Sequence, residues 1–314
     1  MSGWGGLRSL VGKALTPELR DAYRGWRRGD LTSRQAAWVY LSRLPEFSIR
    51  TTTRHGILSY SNKDAVIGRT LFETGEFEYD KIQKAIVLAR DIGALGWRSS
   101  GYLIDIGANI GTVCITMIRE RTFELGLALE PEPRNFRHLV RNIRRNRLSS
   151  SIRAFQLALS SSDGRLDLEL SRDNFGDHRI RGSAPQVEAS YFGEPERGAI
   201  SVPSRRLDDF LDELAVDHSR VSLLWIDVQG YELPVLKGAE GVLAHQVPVV
   251  MEFAPYWLAK AGISQQEFCA YFTSHFTWYY DLGEIAPQRR RASDVGSMFE
   301  RYTHLYFSDF LVLA

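Results

Sequence analysis

Apolar positions along the chain fall into two alternating patterns. Short, largely apolar runs at 102–106, 125–130, 152–159, 223–228 and 247–253 predict buried parallel strands, since a strand covered on both faces has little polar side. Between them, segments 112–118, 134–145, 207–214 and 232–243 repeat apolar residues at helical spacing. Strand and helix therefore alternate, which predicts a doubly wound α/β sheet with helices on both faces. Two later apolar runs, 276–282 and 307–313, predict an antiparallel terminal pair, for seven strands in all.

The flanking segments have other patterns. Residues 1–48 predict short helices, with Thr16-Pro17-Glu18 and Leu31-Thr32-Ser33 as start signals. Residues 49–66 predict a small hairpin, and 80–89 a helix entering the first core strand. The third and fourth core strands are too far apart for an ordinary connection, so 161–205 is expected to be an insertion. Within it, 164–170 and 199–203 predict a pair of strands, and the polar stretch 174–196 a loop or lid.

The first strand runs into Asp105-Ile106-Gly107-Ala108-Asn109-Ile110-Gly111. Ligands of open α/β sheets sit beyond the strands' carboxyl ends, so this turn faces the crevice. A dinucleotide turn needs G-x-G-x-x-G, whose middle glycine admits a pyrophosphate. Here the spacing is G-x-x-x-G behind an acid, which suits a ligand with an amino-acid end and no phosphate, namely S-adenosylmethionine. Close packing of strand on helix is the competing explanation of such glycines. The second strand ends at Glu130, placed to accept the hydroxyls of an adenosine ribose.

Composition narrows the classes. Of 314 residues, 44% are apolar, enough for a real core. Net charge is +1, so no global field points to nucleic acid or an anionic membrane. Cys114 and Cys269 lie far apart in apolar helical segments and are expected to be reduced core residues. No apolar run reaches membrane-spanning length and the N-terminus lacks a signal-peptide pattern, so a cytoplasmic protein is expected.

Several blocks in order resemble the FkbM-type family of S-adenosylmethionine-dependent methyltransferases. They are Asp105–Gly111, Glu130-Pro131 with Phe136 and Asn142, Ala158-Leu159-Ser160, Asp163-Gly164, and Arg206-Leu207-Asp208-Asp209-Phe210. The most specific is Ile226-Asp227-Val228-Gln229-Gly230-Tyr231-Glu232-Leu233-Pro234-Val235-Leu236-Lys237-Gly238-Ala239, in which Gln229 stands where the family pattern has an acid. With Gly75-Glu76-Phe77-Glu78 as an entry segment, the likeness covers 53–314 and leaves out 1–50. It implies a class I methyltransferase (Rossmann-like) domain over 49–314, behind an N-terminal helical extension. It also implies methyl transfer to a hydroxyl of a carbohydrate, glycolipid or secondary metabolite, as the small-molecule or glycan acceptor. By that resemblance Asp105, Gly107, Ala108, Asn109 and Gly111 surround the methionine end, Glu130 holds the ribose, and Ala158, Leu159 and Ser160 border the adenine. Phe77 and Glu78 cover the cofactor.

Methyl transfer from a sulfonium needs alignment and a group to take the hydroxyl proton. Asp227, ending the fourth strand, is placed for that as base, as ligand or as acceptor for the cofactor's amino group; the competing role is a cap for the next helix. Glu252, near the end of the fifth strand, and His178, in the insertion beside Asn174 and Asp177, are further candidates. Glu232 is placed to offset a helix dipole or to act in the site. No metal set is signalled, because Gln229 removes a carboxylate. Arg134, Arg137, Arg141, Arg144 and Arg145 form the polar face of an amphipathic helix, with contact to an anionic substrate or membrane surface as the second reading. A non-catalytic scaffold of the same fold, and a nicotinamide-dependent oxidoreductase, are the rival functions; the missing middle glycine disfavours the latter.

Overall fold

The computed structural model describes residues 31–182, 197–303 and 306–314. The start signal at Thr16-Pro17-Glu18, most of the N-terminal extension and the second half of the expected lid lie outside the described residues.

The strands, in chain order, are β1 (Ser48–Thr53), β2 (Gly56–Ser61), β3 (Ser99–Ile106), β4 (Phe123–Leu129), β5 (Ile152–Phe155), β6 (Ala158–Leu159), β7 (Gly164–Glu169), β8 (Arg179–Ile180), β9 (Ala199–Arg205), β10 (Val221–Ile226), β11 (Val249–Phe253), β12 (Trp278–Asp281), β13 (Arg289–Arg291) and β14 (Ser308–Leu313). The helices used below are α1 (Leu31–Arg43), α2 (Ile67–Thr74), α3 (Tyr79–Asp91), α4 (Thr112–Arg119), α5 (Pro133–Arg145), α6 (Leu207–Glu213), α7 (Glu232–Lys237), α8 (Glu240–Leu243), α9 (Pro255–Lys260) and α10 (Gln265–His275).

The main sheet has the order β13-β12-β14-β11-β10-β3-β4-β5. The pairs from β5 through β11 are parallel, and β14, β12 and β13 add antiparallel neighbours. Eight strands thus replace the expected seven: Arg289–Arg291 extends the edge, its guanidinium carbons on Arg289 and Arg291 lying 4.4 and 5.4 Å from the Trp278 ring centre. The strand expected over 152–159 is broken at its end. Ile152–Phe155 pairs with β4, whereas Ala158–Leu159 leaves the sheet and runs parallel to β9. The insertion folds into a second sheet of order β6-β9-β7-β8; β7 and β9 pair as expected, and the pairing is antiparallel. The helix expected over 232–243 is two helices, α7 and α8, separated at Gly238 and Ala239.

Period-two alternation sorts the core into two layers. Ile104, Leu127, Leu224 and Val249 face one, with α6, α7, α9 and α10. Leu103, Ala128, Trp225 and Val250 face the other, with α2, α3, α4 and α5. Burying each such side chain contributes about 1.5–3 kcal/mol, so the continuous apolar runs commit these strands to the centre of the sheet. Local signals set the helix ends. Pro133 opens α5, and the Glu132 carboxylate accepts from Asn135 N at 2.6 Å. Ser264 caps α10 by accepting from Glu267 N at 3.1 Å. Cys114 is buried, but Cys269 is only half-buried, so the expectation of a core position holds for the first alone. Among the described residues no helix is long and apolar enough to cross a membrane.

Candidate active site

The glycine turn after β3 is held by backbone crowding. Gly107 adopts φ +82°, and a Cβ there would lie 1.9 Å from the Asp227 carbonyl oxygen. No side chain fits. Gly107 N and Ala108 N donate to the Leu129 carbonyl at 3.0 and 2.9 Å, which locks the turn to the end of β4. Asn109, also left-handed at φ +49°, donates its backbone N–H to Glu130 Oε2 at 2.8 Å. Gly111, the N-cap of α4, has φ +95° and packs against Leu139 and Ile115.

Asp105 is buried, and its Oδ2 accepts from Cys114 N at 3.0 Å. It therefore satisfies a first-turn N–H of α4 from the end of β3, a capping role the sequence alone did not single out. Burial pushes its carboxyl up to about 7.

Glu130 sits at the mouth of the same turn. Its Oε1 accepts from Glu132 N and its Oε2 from Asn109 N, both at 2.8 Å, and burial pushes the group up to about 8. A cleft of about 560 Å³, counting its open mouth, lies between Glu130 on one side and Leu157, Ala158 and Leu159 on the other. Gly107, Asn109, His178 and Asp227 also line it. Ser160 is buried behind Leu159, its hydroxyl 3.0 Å from that of Tyr231, which itself lines the cleft.

On the β10 side, Asp227 N bonds the Ile106 carbonyl at 3.0 Å, bringing the fourth strand's end against the turn. Its side chain caps no helix: α7 begins at Glu232 with Tyr231 before it and no side-chain cap. The loop's backbone is held instead by Glu232 Oε1, which accepts from Val228 N and Gly230 N at 3.2 Å each. Glu232 is fully buried, its Oε2 has no partner, and burial pushes it up to about 8. This is a structural carboxyl. Gln229, left-handed at φ +55°, places its amide nitrogen 2.7 Å from Asp227 Oδ1 and 3.2 Å from Glu252 Oε2.

Glu252 stands opposite Asp309 in the β11–β14 register, and burial together with the charges of Asp227, Glu232 and Asp309 raises it well above the carboxylate range. Lys81 offsets this group of acids: its Nζ lies 2.6 Å from Glu78 Oε2 and 3.1 Å from Asp309 Oδ2. Glu78, left-handed at φ +54° at the N-cap of α3, thus faces Lys81. Neither Glu78 nor Glu252 lines the cleft; Glu252 reaches it through Gln229, whereas Glu78 and its partner Lys81 stand outside its lining. Among the described residues no group of three or more His, Cys, Asp or Glu side chains is placed to hold a metal ion.

The insertion lines part of the cleft. The Phe175 carbonyl accepts from Asn109 Nδ2 at 2.9 Å and from Asn135 Nδ2 at 2.8 Å, pinning the loop to both the glycine turn and α5. His178 stacks on the Phe175 ring with centroids 5.9 Å apart. Its Nδ1 accepts from Ser171 N at 3.0 Å, so Nε2 carries the hydrogen and is an unpartnered buried donor. Burial lowers the ring to about 4, which keeps it neutral near pH 7. Asp177 is taken up by Arg179 at 2.6 Å and Arg197 at 2.5 Å, and Asn174 accepts from Gly176 N at 3.0 Å within its own loop. Both are tied up in holding the insertion together.

Asn135, Phe175, Tyr231 and Lys81 were not foreseen. Asn135 alone carried a signal, as a buried polar residue on the inner face of an amphipathic helix.

The methyltransferase FkbM domain matches residues 105–282. Methyltransferase sdnD of Sordaria araneosa is 31% identical over 161 residues, 45% of this chain and 61% of that protein. The 2-O-methyltransferase NoeI of Sinorhizobium fredii is 28% identical over 180 residues, 55% of this chain and 72% of that protein. Hexuronic acid methyltransferase AglP of Haloferax volcanii is 28% identical over 152 residues, 48% of this chain and 54% of that protein. The matches thus span little more than half to about seven-tenths of these relatives' lengths. Since the family's domain occupies more than half of the chain and runs from the acid before the glycine turn to the antiparallel edge of the sheet, this protein belongs to the FkbM methyltransferase family.

Proposed function

We propose that the protein is an S-adenosylmethionine-dependent O-methyltransferase whose acceptor is a hydroxyl of a carbohydrate or related small molecule. The observation that carries this reading is the pairing, in one cleft, of a glycine turn with no room for a side chain and a buried carboxylate at the end of the neighbouring strand. The fit of the cofactor follows from the donor set. Each Glu130 oxygen uses one lone pair on a backbone N–H, which leaves capacity for two ribose hydroxyls. Leu157, Ala158 and Leu159 offer an apolar wall for an adenine ring. Ala108 and Gly111 shape the turn from behind, and Asp105 holds α4 in place. When bound, the cofactor supplies an electrophilic methyl group and leaves as a neutral thioether.

The chain's own residues then align the acceptor and take its proton. Asp227 lines the cleft, and the Gln229 amide holds its Oδ1, leaving Oδ2 for the acceptor. His178 supplies a neutral donor toward the cleft rather than a base. The names of the relatives NoeI and AglP, an O-methyltransferase and a hexuronic acid methyltransferase, support an oxygen acceptor on a sugar.

Titration calorimetry with S-adenosylhomocysteine and with NADH tests the reading. The former is expected to bind and to lose tenfold or more in Glu130→Ala, on the scale of two lost hydrogen bonds. Binding of NADH alone would reject it. Cofactor binding with no transfer of labelled methyl across a panel of glycosides would favour a non-catalytic scaffold instead.

A further inference from the structure

His178, the residue before β8, has one ring nitrogen engaged and the other without a partner. Its Nδ1 accepts from Ser171 N at 3.0 Å, so that corner of the ring faces the insertion's own backbone. His178 lines the cleft and Ser171 does not, which turns Nε2, across the ring from Nδ1, to the cleft side. Because Ser171 N–H donates, Nδ1 carries the lone pair and Nε2 the hydrogen. A protonated ring would set two N–H groups head to head at Ser171, and burial lowers the ring to about 4, so near pH 7 the neutral form is present. The Nε2–H is buried with no acceptor among the described residues. Such a donor opposes folding, and a ligand that accepts from it recovers the loss.

The ring is also held in place. It stacks on Phe175 with the two planes 29° apart, and the Phe175 carbonyl is fixed by the side-chain amides of Asn109 and Asn135. On its other flank Asp177 is taken up by Arg179 and Arg197. A donor anchored on both flanks is pre-organised for its acceptor.

The surroundings decide which end of the cleft it serves. Two residues on, Ile180 lines the cleft and stands opposite Leu168 in the β7–β8 register. Leu168 and Ile180 pack with Ala158 in one small apolar cluster. Ala158 belongs to the wall assigned above to the adenine ring, whereas Asp227 and Gln229 enter the cleft from the β10 side. His178 therefore stands at the base end, away from the carboxylate assigned to the acceptor's proton.

We propose that the His178 Nε2–H donates to a ring nitrogen of the cofactor's adenine and holds the base in register against the Ala158–Leu159 wall. Adenine carries three ring nitrogens with a free lone pair, N1, N3 and N7, and a site built to bond one of them rejects a base that lacks it. The inference rests on the cofactor reading given above.

The test is calorimetric titration of the whole chain with S-adenosylhomocysteine and with its 1-deaza, 3-deaza and 7-deaza analogues. Wild type, His178→Gln and His178→Asn are compared. Glutamine keeps an N–H near the place of Nε2 but gives up the acceptor for Ser171 N; asparagine keeps that acceptor but ends short of Nε2. Wild type is expected to bind one of the three analogues about tenfold or more weakly than the parent compound. His178→Asn should lose about tenfold or more for the parent and no longer distinguish that analogue, while His178→Gln stays within about threefold. A purely structural histidine would give the reverse order, with asparagine retaining affinity and glutamine losing it, and that result overturns the proposal. Equal binding of the parent and all three analogues by wild type overturns it too. Wild type that binds none of these compounds would overturn the cofactor reading itself, and the parent titration alone tells that failure from the other two.

Discussion

Gln229 donates its side-chain amide to Asp227 across 2.7 Å, and the same nitrogen lies within 3.3 Å of both Glu252 oxygens. An amide is the one uncharged group of this size that can serve two carboxylates from a single donor nitrogen. The acid that the family pattern carries at this position would, once ionised, offer them no donor.

Gln229→Glu is therefore expected to destabilise the protein at neutral pH by about 1–3 kcal/mol, the cost of leaving buried acceptors unmatched. The sign of the pH dependence follows from the raised state of Glu252. A carboxyl added beside it also has a folded pKa above its unfolded value, so its contribution is present in acid and is lost as pH rises. The Tm gap between variant and wild type should widen from pH 5 to pH 8. A gap that is constant or narrows over that range contradicts this account.

Asp227→Asn should leave S-adenosylhomocysteine affinity within about threefold and lower turnover by about 100-fold or more, the usual scale for a lost proton acceptor. Glu252→Gln should lower it far less, since Glu252 does not line the cleft. Single-turnover assays with a labelled methyl group distinguish the two. Near-normal turnover in Asp227→Asn would transfer the role to another group.

Gly107→Ala is expected to be costly although it adds one methyl. The backbone is left-handed, and the new Cβ would collide with the Asp227 carbonyl. Strain of about 1–3 kcal/mol from the dihedral adds to displacement of the Asp227 loop. Thermal melts should show a lower Tm, and cofactor titration a weakened site. A variant with wild-type Tm and affinity would mean the two strand ends are not so closely apposed.

Glu232 gives a separate pH test. Its folded value of about 8 lies above the ordinary 4.5 because it is buried. Its stabilising contribution is complete below the unfolded pKa and disappears as pH rises to about 8. Glu232→Gln keeps an acceptor for Val228 N and Gly230 N but cannot ionise. Relative to wild type it should gain more than about 1 kcal/mol between pH 5 and pH 8, by the linkage of proton binding to folding. Urea titrations at several pH values measure this, and parallel curves would show that Glu232 ionises without penalty.

The chain's own order of residues determined the parallel core, the glycine turn and the acid at the end of the second strand. Those features are local: continuous apolar runs need cover on both faces, and a strand end faces the crevice whatever packs beside it. Tertiary structure alone decided which carboxyls line the cleft and which only hold the backbone. Asp105 and Glu232 resemble Asp227 in the sequence, yet one caps α4 and the other closes a loop. It also decided that the third strand breaks before Ala158, that Lys81 comes beside Asp309, and that His178 reaches the cleft from the insertion. Each of these depends on the register between segments far apart in the chain. No periodicity encodes that register; it emerges when the two faces of the sheet are buried together.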